Sequence, residues 1–202
     1  QVSERTSGYM GAAWYRREFE APKAWRGRVI RVEFEAVFHT AEVFVNGRKA
    51  GGHAGKGYTA FALDVTDLVR LGEGNSLAVR ADNSFVQDML PRNDSYDWTP
   101  DGGITRPVRL IVTPPVFIER LWVDASPDLD KGTASLTVTA VVRNDTDGPA
   151  GLDIGFRVVD KATGLAVLES DHGPAGEVPA RTTRQAVLPE TVLDQPKLWH
   201  FD

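Results

Sequence analysis

Hydrophobic and polar positions alternate along most of this chain with a period of two, the repeat of a half-buried β-strand. Trp14, Arg16, Glu18 and Glu20 alternate with Tyr15, Arg17 and Phe19 until Ala21-Pro22 ends the run. Arg28 to Val37 sets Ile30, Val32, Phe34 and Ala36 against Val29, Arg31, Glu33 and Glu35, giving one apolar and one charged face. Such a face needs a partner sheet. Val43-Phe44-Val45 stops at Asn46-Gly47, the dipeptide that most readily takes two positive φ angles, so a type I′ hairpin is predicted there. Gly51, Gly52, Gly55 and Gly57 around His53 predict a loop that passes close to another part of the chain, before Tyr58 to Leu63 resumes a strand pattern. Asp64 to Val69 predicts a capped helical segment of no more than about two turns. After a tight connection at Gly72 to Asn75, Ser76 to Asn83 and Ile104 to Val112 read as two further strands. The latter carries Val108, Leu110 and Val112 on one side.

Thr113-Pro114-Pro115 cannot continue a ladder and stiffens the link, so the domain boundary is placed there, with domains at 1–114 and 115–202. The second half has a different texture. Phe117 to Asp124, Ala134 to Asn144, Leu152 to Asp160, Ala166 to Glu169 and Thr183 to Leu188 are short apolar runs separated by Asp, Gly, Pro and Thr clusters. That spacing predicts an immunoglobulin-like sandwich, incomplete or just complete at its C-terminal end. No helix of normal length is predicted, so the fold class is all-β.

Composition narrows the function classes. With 42% hydrophobic and 25% charged residues the chain reads as a folded, soluble protein. A net charge of −5 supplies no basic footprint for nucleic acid or an anionic membrane surface. No apolar run approaches the roughly 20 residues of a spanning helix, and no secretory core is visible at the start. Cysteine is absent, which excludes disulfides and thiolate chemistry and leaves the compartment undetermined. His39, His53, His172 and His200 lack ligand spacing, so neither a metal nor a cofactor is expected. No Gly-x-Ser-x-Gly elbow occurs, and the Gly-rich stretch at His53 to Gly57 lacks the Lys-Ser/Thr ending of a phosphate loop.

Carboxylates and aromatics cluster in one place. Ser84 to Pro100 loses the alternation and reads as a long functional loop, carrying Asp94, Tyr96, Asp97 and Trp98 ahead of Asp101. Carboxylates accept hydrogen bonds from hydroxyls, and an aromatic face stacks on the C–H side of a sugar ring. The alternative is that these acids cap turns and Trp98 plugs the core.

Six blocks in order, Gly11 to Phe19, Ala41 to Gly47, Gly57 to Phe61, Asp64 to Thr66, Asn75 to Arg80 and Asp101-Gly102-Gly103-Ile104-Thr105-Arg106-Pro107-Val108, resemble the N-terminal sugar-binding domain of family 2 glycoside hydrolases. That family includes β-galactosidases, β-glucuronidases and β-mannosidases. The part from Pro115, with Leu198-Trp199 near the end, resembles the family's immunoglobulin-like second domain. The resemblance implies a jelly-roll sandwich followed by an immunoglobulin-like sandwich, ahead of a TIM barrel whose two glutamates perform retaining hydrolysis. This chain is expected to end where that barrel begins and to contain no catalytic residue. Its partners are then the missing barrel and, through the parent enzyme, a β-glycoside of β-galactosidase type. In some members a loop of the first domain brings a carboxylate to the terminal sugar subsite. By position the resemblance assigns that role to Asp97, with Asp94, Trp98 and Tyr96 beside it. Thr105 stands where the family has an aromatic. Two other readings remain: a self-sufficient carbohydrate-binding module, and a structural spacer.

Overall fold

The computed structural model describes residues 9–87, 89 and 102–198. They belong to two compact units that divide between Pro114 and Pro115. The first unit holds β1 (Ala12–Glu20), β2 (Val29–Phe34), β3 (Val37–Phe38), β4 (Thr40–Val45), β5 (Arg48–His53), β6 (Phe61–Asp64), β7 (Gly74–Asp82), β8 (Gly103–Ile104) and β9 (Val108–Thr113). A four-stranded sheet, β1-β7-β4-β5, packs on a three-stranded one, β6-β2-β9, and the β3-β8 pair joins them at one end. Between them Ile30, Val32 and Phe34 of β2 meet Ala41, Val43 and Val45 of β4 and Val79 and Ala81 of β7, none more than 2% exposed. Charged partners of those residues, Arg31 and Glu33, alternate onto the outer face, as the period of two requires.

The hairpin forms at Asn46-Gly47, with φ of 51° and 78°. Asn46 also donates through Nδ2 to Leu68 O and Asn75 Oδ1, both at 2.8 Å. Gly51, Gly52 and His53, expected in a loop, instead belong to β5, paired to Val43, Glu42 and Ala41. The close approach is real: a Cβ at Gly51 would sit 2.9 Å from Leu63 Cδ2. Asp64 to Val69 is a short capped turn, closed by Leu68 N to Val65 O at 2.9 Å and Val69 N to Val65 O at 3.1 Å, with Asp64 Oδ1 accepting from Thr66 N. The run Ile104 to Val112 splits. Thr105-Arg106-Pro107 separates β8 from β9, which lie in different sheets. β2 and β3 part at the same level, where Glu35 N donates to Pro107 O and Thr105 N to Ala36 O. The two chains therefore turn the corner between sheets together.

The second unit holds β10 (Val116–Asp128), β11 (Thr133–Asn144), β12 (Ala150–Ile154), β13 (Arg157–Val159), β14 (Ala166–Glu169), β15 (Gly173–Val178), β16 (Thr182–Val187) and β17 (Thr191–Asp194). β10, β11 and β16 form one sheet, with β17 also on β11, and the pairs β12-β15 and β13-β14 accompany it. Its core is Ala140, Val142 and Val178, packed by Val116, Leu152 and Ile154. The single run read from Leu152 to Asp160 is broken at Gly155-Phe156 into β12 and β13. A bulge between Ile118 and Arg120 reverses the phase of β10, so that Ile118, Leu121 and Val123 lie opposite the inward Val142, Ala140 and Val138. All three stay more than half exposed. The only helix among the described residues is a 3₁₀ turn at Lys23–Trp25.

Candidate functional site

Asp94, Asp97, Trp98 and Tyr96 lie outside the described residues. What the structure shows is the frame from which their segment departs and to which it returns. β7 ends at Asp82, where Ala12 of β1 and Thr40 of β4 are its register partners. Asp82 O accepts from His39 N at 3.3 Å, and Oδ1 accepts from Ser84 N at 2.9 Å. Hydrogen bonds from Ser84, and then the Arg80 guanidinium, hold the Asp82 carboxyl below its ordinary range.

Asn83, only 4% exposed, ties three stretches together. Its Nδ2 donates to Tyr9 O at 3.0 Å, its Oδ1 accepts from Gly11 N at 2.8 Å, and its amide lies against Gly102, where a Cβ would collide with it. Gly103, at φ 93°, presses equally close to the Tyr15 hydroxyl. Both feet of the segment are thus clamped at one point by polar groups and glycines that leave no room for a side chain.

Below this rim His53 Nε2 meets Val37 O at 2.9 Å; a carbonyl only accepts, so Nε2 carries the proton. Its Nδ1 is buried without a partner among the described residues, and the ring lies 4.1 Å from Phe61. Burial, first of all, depresses the His53 pKa, aided by Lys56 and His39. The imidazole is therefore neutral at neutral pH. Among the described residues no three His, Asp or Glu side chains converge to hold a metal.

The outer face of the four-stranded sheet adds a feature that the sequence reading did not single out. Lys49, Glu42, Arg80 and Asp82 form a line of ion pairs across β5, β4 and β7, at 2.6, 3.5 and 2.7 Å. Lys49, foremost, holds the Glu42 carboxyl below its usual range. Beside the line, Trp14 (55% exposed) packs on Phe44 with centroids 5.8 Å apart. The signal was present in the alternation, since Phe44 falls out of phase with the buried Val43 and Val45.

Residues 3–114 match the family described as glycosyl hydrolases family 2, sugar binding domain. The chain belongs to this family. The β-galactosidase BoGH2A of Bacteroides ovatus is 31% identical over 195 residues, which is 95% of this chain and 21% of the relative. A β-glucuronidase of Bacteroides fragilis is 30% identical over 185 residues, 87% of this chain and 25% of the relative. The solved structure of a family 2 glycosyl hydrolase from Bacteroides cellulosilyticus superposes with a TM-score of 0.80 at 28% identity, over 95% of this chain and 25% of the other. The β-glucuronidase of Bacteroides uniformis gives 0.78 at 29%, over 95% and 23%. The chain thus spans about a fifth to a quarter of the relatives it matches, and its two-part all-β architecture is theirs.

Proposed function

We propose that residues 1–202 are the non-catalytic front of a retaining exo-β-glycosidase, in which the first sandwich walls one side of the substrate pocket and a catalytic barrel elsewhere in the parent breaks the bond. The observation that carries this reading is the match of residues 3–114 to the sugar-binding domain of the family. Four of the described carboxylates have electrostatics unlike those of a catalytic acid. A retaining mechanism needs an acid of raised pKa about 5–5.5 Å from a nucleophile. Glu42, Asp82, Asp128 and Asp160 are instead all lowered, Asp160 to about 2, by hydrogen bonds from Lys49, Ser84, Lys131 and Lys197 respectively. Such groups stay ionised and make poor proton donors near neutrality.

The names of the relatives divide between β-galactosidase and β-glucuronidase. Asp97 bears on the choice. A carboxylate at the terminal subsite accepts from the hydroxyls of a neutral sugar and repels a uronate, which favours a β-galactoside. The test compares p-nitrophenyl β-galactoside hydrolysis by residues 1–202 and by the parent: release by the parent alone is expected, and release by the short chain would overturn the reading. In the parent, Asp97→Ala is expected to raise KM about tenfold or more, the loss of one charged hydrogen bond. Unchanged kcat and KM would favour a structural spacer. Trp14, exposed and packed on the half-buried Phe44, supports a second reading, a self-sufficient carbohydrate-binding module. Calorimetric heat from galactose with residues 1–202, abolished by Trp14→Ala, would establish that one.

A further inference from the structure

The first sandwich is unequal, with four strands facing three. At one flank β5 meets β6, as the Gly51–Leu63 approach shows. Matching the sheets strand by strand from there leaves β1 overhanging, with no strand of the described residues beneath it. Its inward residues register the gap. Tyr15 is 38% exposed, whereas the inward Ala41, Val43 and Val45 of β4 are no more than 2% exposed. Below Tyr15, Arg17 and Phe19 runs an apolar cleft of about 430 Å³, floored by Phe34, Val79 and Leu110. β1 and β9 border it, and among the described residues each has one hydrogen-bonded neighbour, β7 and β2, so each presents a row of N–H and C=O groups that no described strand pairs. Arg17 lines the cleft without an ion-pair partner among the described residues.

We propose that this cleft is a strand-acceptor site: an extended segment of the parent polypeptide, from outside residues 1–202, adds to the free edge of β9 and lies beneath β1. A strand added to β1 would lengthen the overhang and leave Tyr15 and Phe19 as open as before. Added to β9, it makes four strands face four, at the strand spacing of about 4.8 Å and sheet spacing of about 10 Å that fit one strand here. The occupant therefore alternates large apolar residues, which enter the cleft, with polar ones, and sets a carboxylate opposite Arg17. A second copy of this chain fits poorly, because it would bring Arg16 and Arg17 against the same two arginines, whereas Arg109 is already paired with Glu35. The proposal rests on residues 1–202 being part of a longer glycosidase. The matched regions of the relatives are only 21% and 25% of their length, so such a polypeptide has ample chain elsewhere.

The test places p-benzoylphenylalanine at Tyr15 or, in a second variant that alters only an exposed side chain, at Arg17 of the parent, and maps the photo-cross-links by mass spectrometry. Both positions are expected to reach one segment outside residues 1–202 with alternating apolar residues. The amides of 108–113 are expected to exchange about tenfold more slowly in the parent than in residues 1–202 alone. Cross-links confined to residues 1–202 or to a second molecule, equal exchange in both chains, or a parent gene that encodes nothing further would each overturn the proposal. Hydrolysis of aryl β-glycosides is read on the same sample. Cross-linking without hydrolysis removes the glycosidase reading and keeps the acceptor site; hydrolysis without cross-linking does the reverse.

Discussion

At the end of β11 the Asn144 side chain, 0% exposed, stands in for backbone that no strand could supply. Its Nδ2 donates to Gly148 O at 2.8 Å and Val178 O at 3.0 Å, and its Oδ1 accepts from Thr146 N at 2.9 Å and Thr146 Oγ1 at 2.6 Å. Asn144→Ala strands these buried partners, and a loss of about 2–3 kcal/mol is expected from urea denaturation. His53 makes a different demand. Its pKa is depressed in the folded state, so the unfolded chain binds the proton more readily. Its contribution to stability is complete above 6.5, the unperturbed value, and is lost as pH falls through the depressed folded one. Thermal unfolding between pH 7.5 and 5 should show this decline, and His53→Gln should flatten it. Asn144 was visible in the sequence only as the last residue of a strand, and His53 only as a histidine without ligand spacing. Their roles depend on carbonyls brought from Val178 and Val37, which no local pattern announces.

Elements were legible wherever one face is buried and the other wet. β2 and β11 have buried positions at every second residue; β2 was read from its alternation and β11 as a short apolar run. The hairpin was readable because Asn46-Gly47 has few other uses. The pattern failed for three physical reasons. β15 and β17 take their order from β12 and β11 rather than from their own residues, Gly-Pro-Ala-Gly-Glu-Val and Thr-Val-Leu-Asp, which do not alternate. The bulge at Glu119 shifts the phase of β10. At Thr105 to Pro107 one apolar run serves two sheets, and only the matching break after Phe34 explains it. Gly103 is the joint of that corner, with φ at 93° and the Tyr15 hydroxyl against it. Gly103→Ala is therefore expected to destabilise the first unit by about 2 kcal/mol, read as a shifted denaturation midpoint. Gly47→Ala, strained in φ but with open space around it, should cost about 1–2 kcal/mol. The candidate site stands in the sequence only as a composition, Asp and Trp in one long non-alternating stretch that lies outside the described residues, and the clamp at Asn83 and Gly102 was not legible at all, because those residues lie far apart in sequence.

At the scale of the whole molecule each unit has its own core, one around Phe34 and Val43 and one around Val142 and Val178. Calorimetry of residues 1–202 should resolve two transitions, with Asn144→Ala lowering one and Gly103→Ala the other. A single transition moved by both substitutions would refute that division. The clamp joining Asn83, Gly102 and Tyr9 to Gly11 has a practical consequence. Because the chain leaves after Asn83 and re-enters at Gly102 through one fixed doorway, and closure entropy grows only slowly with length, the connection tolerates insertions of other sizes, provided that Met89, 0% exposed, is kept as part of the core.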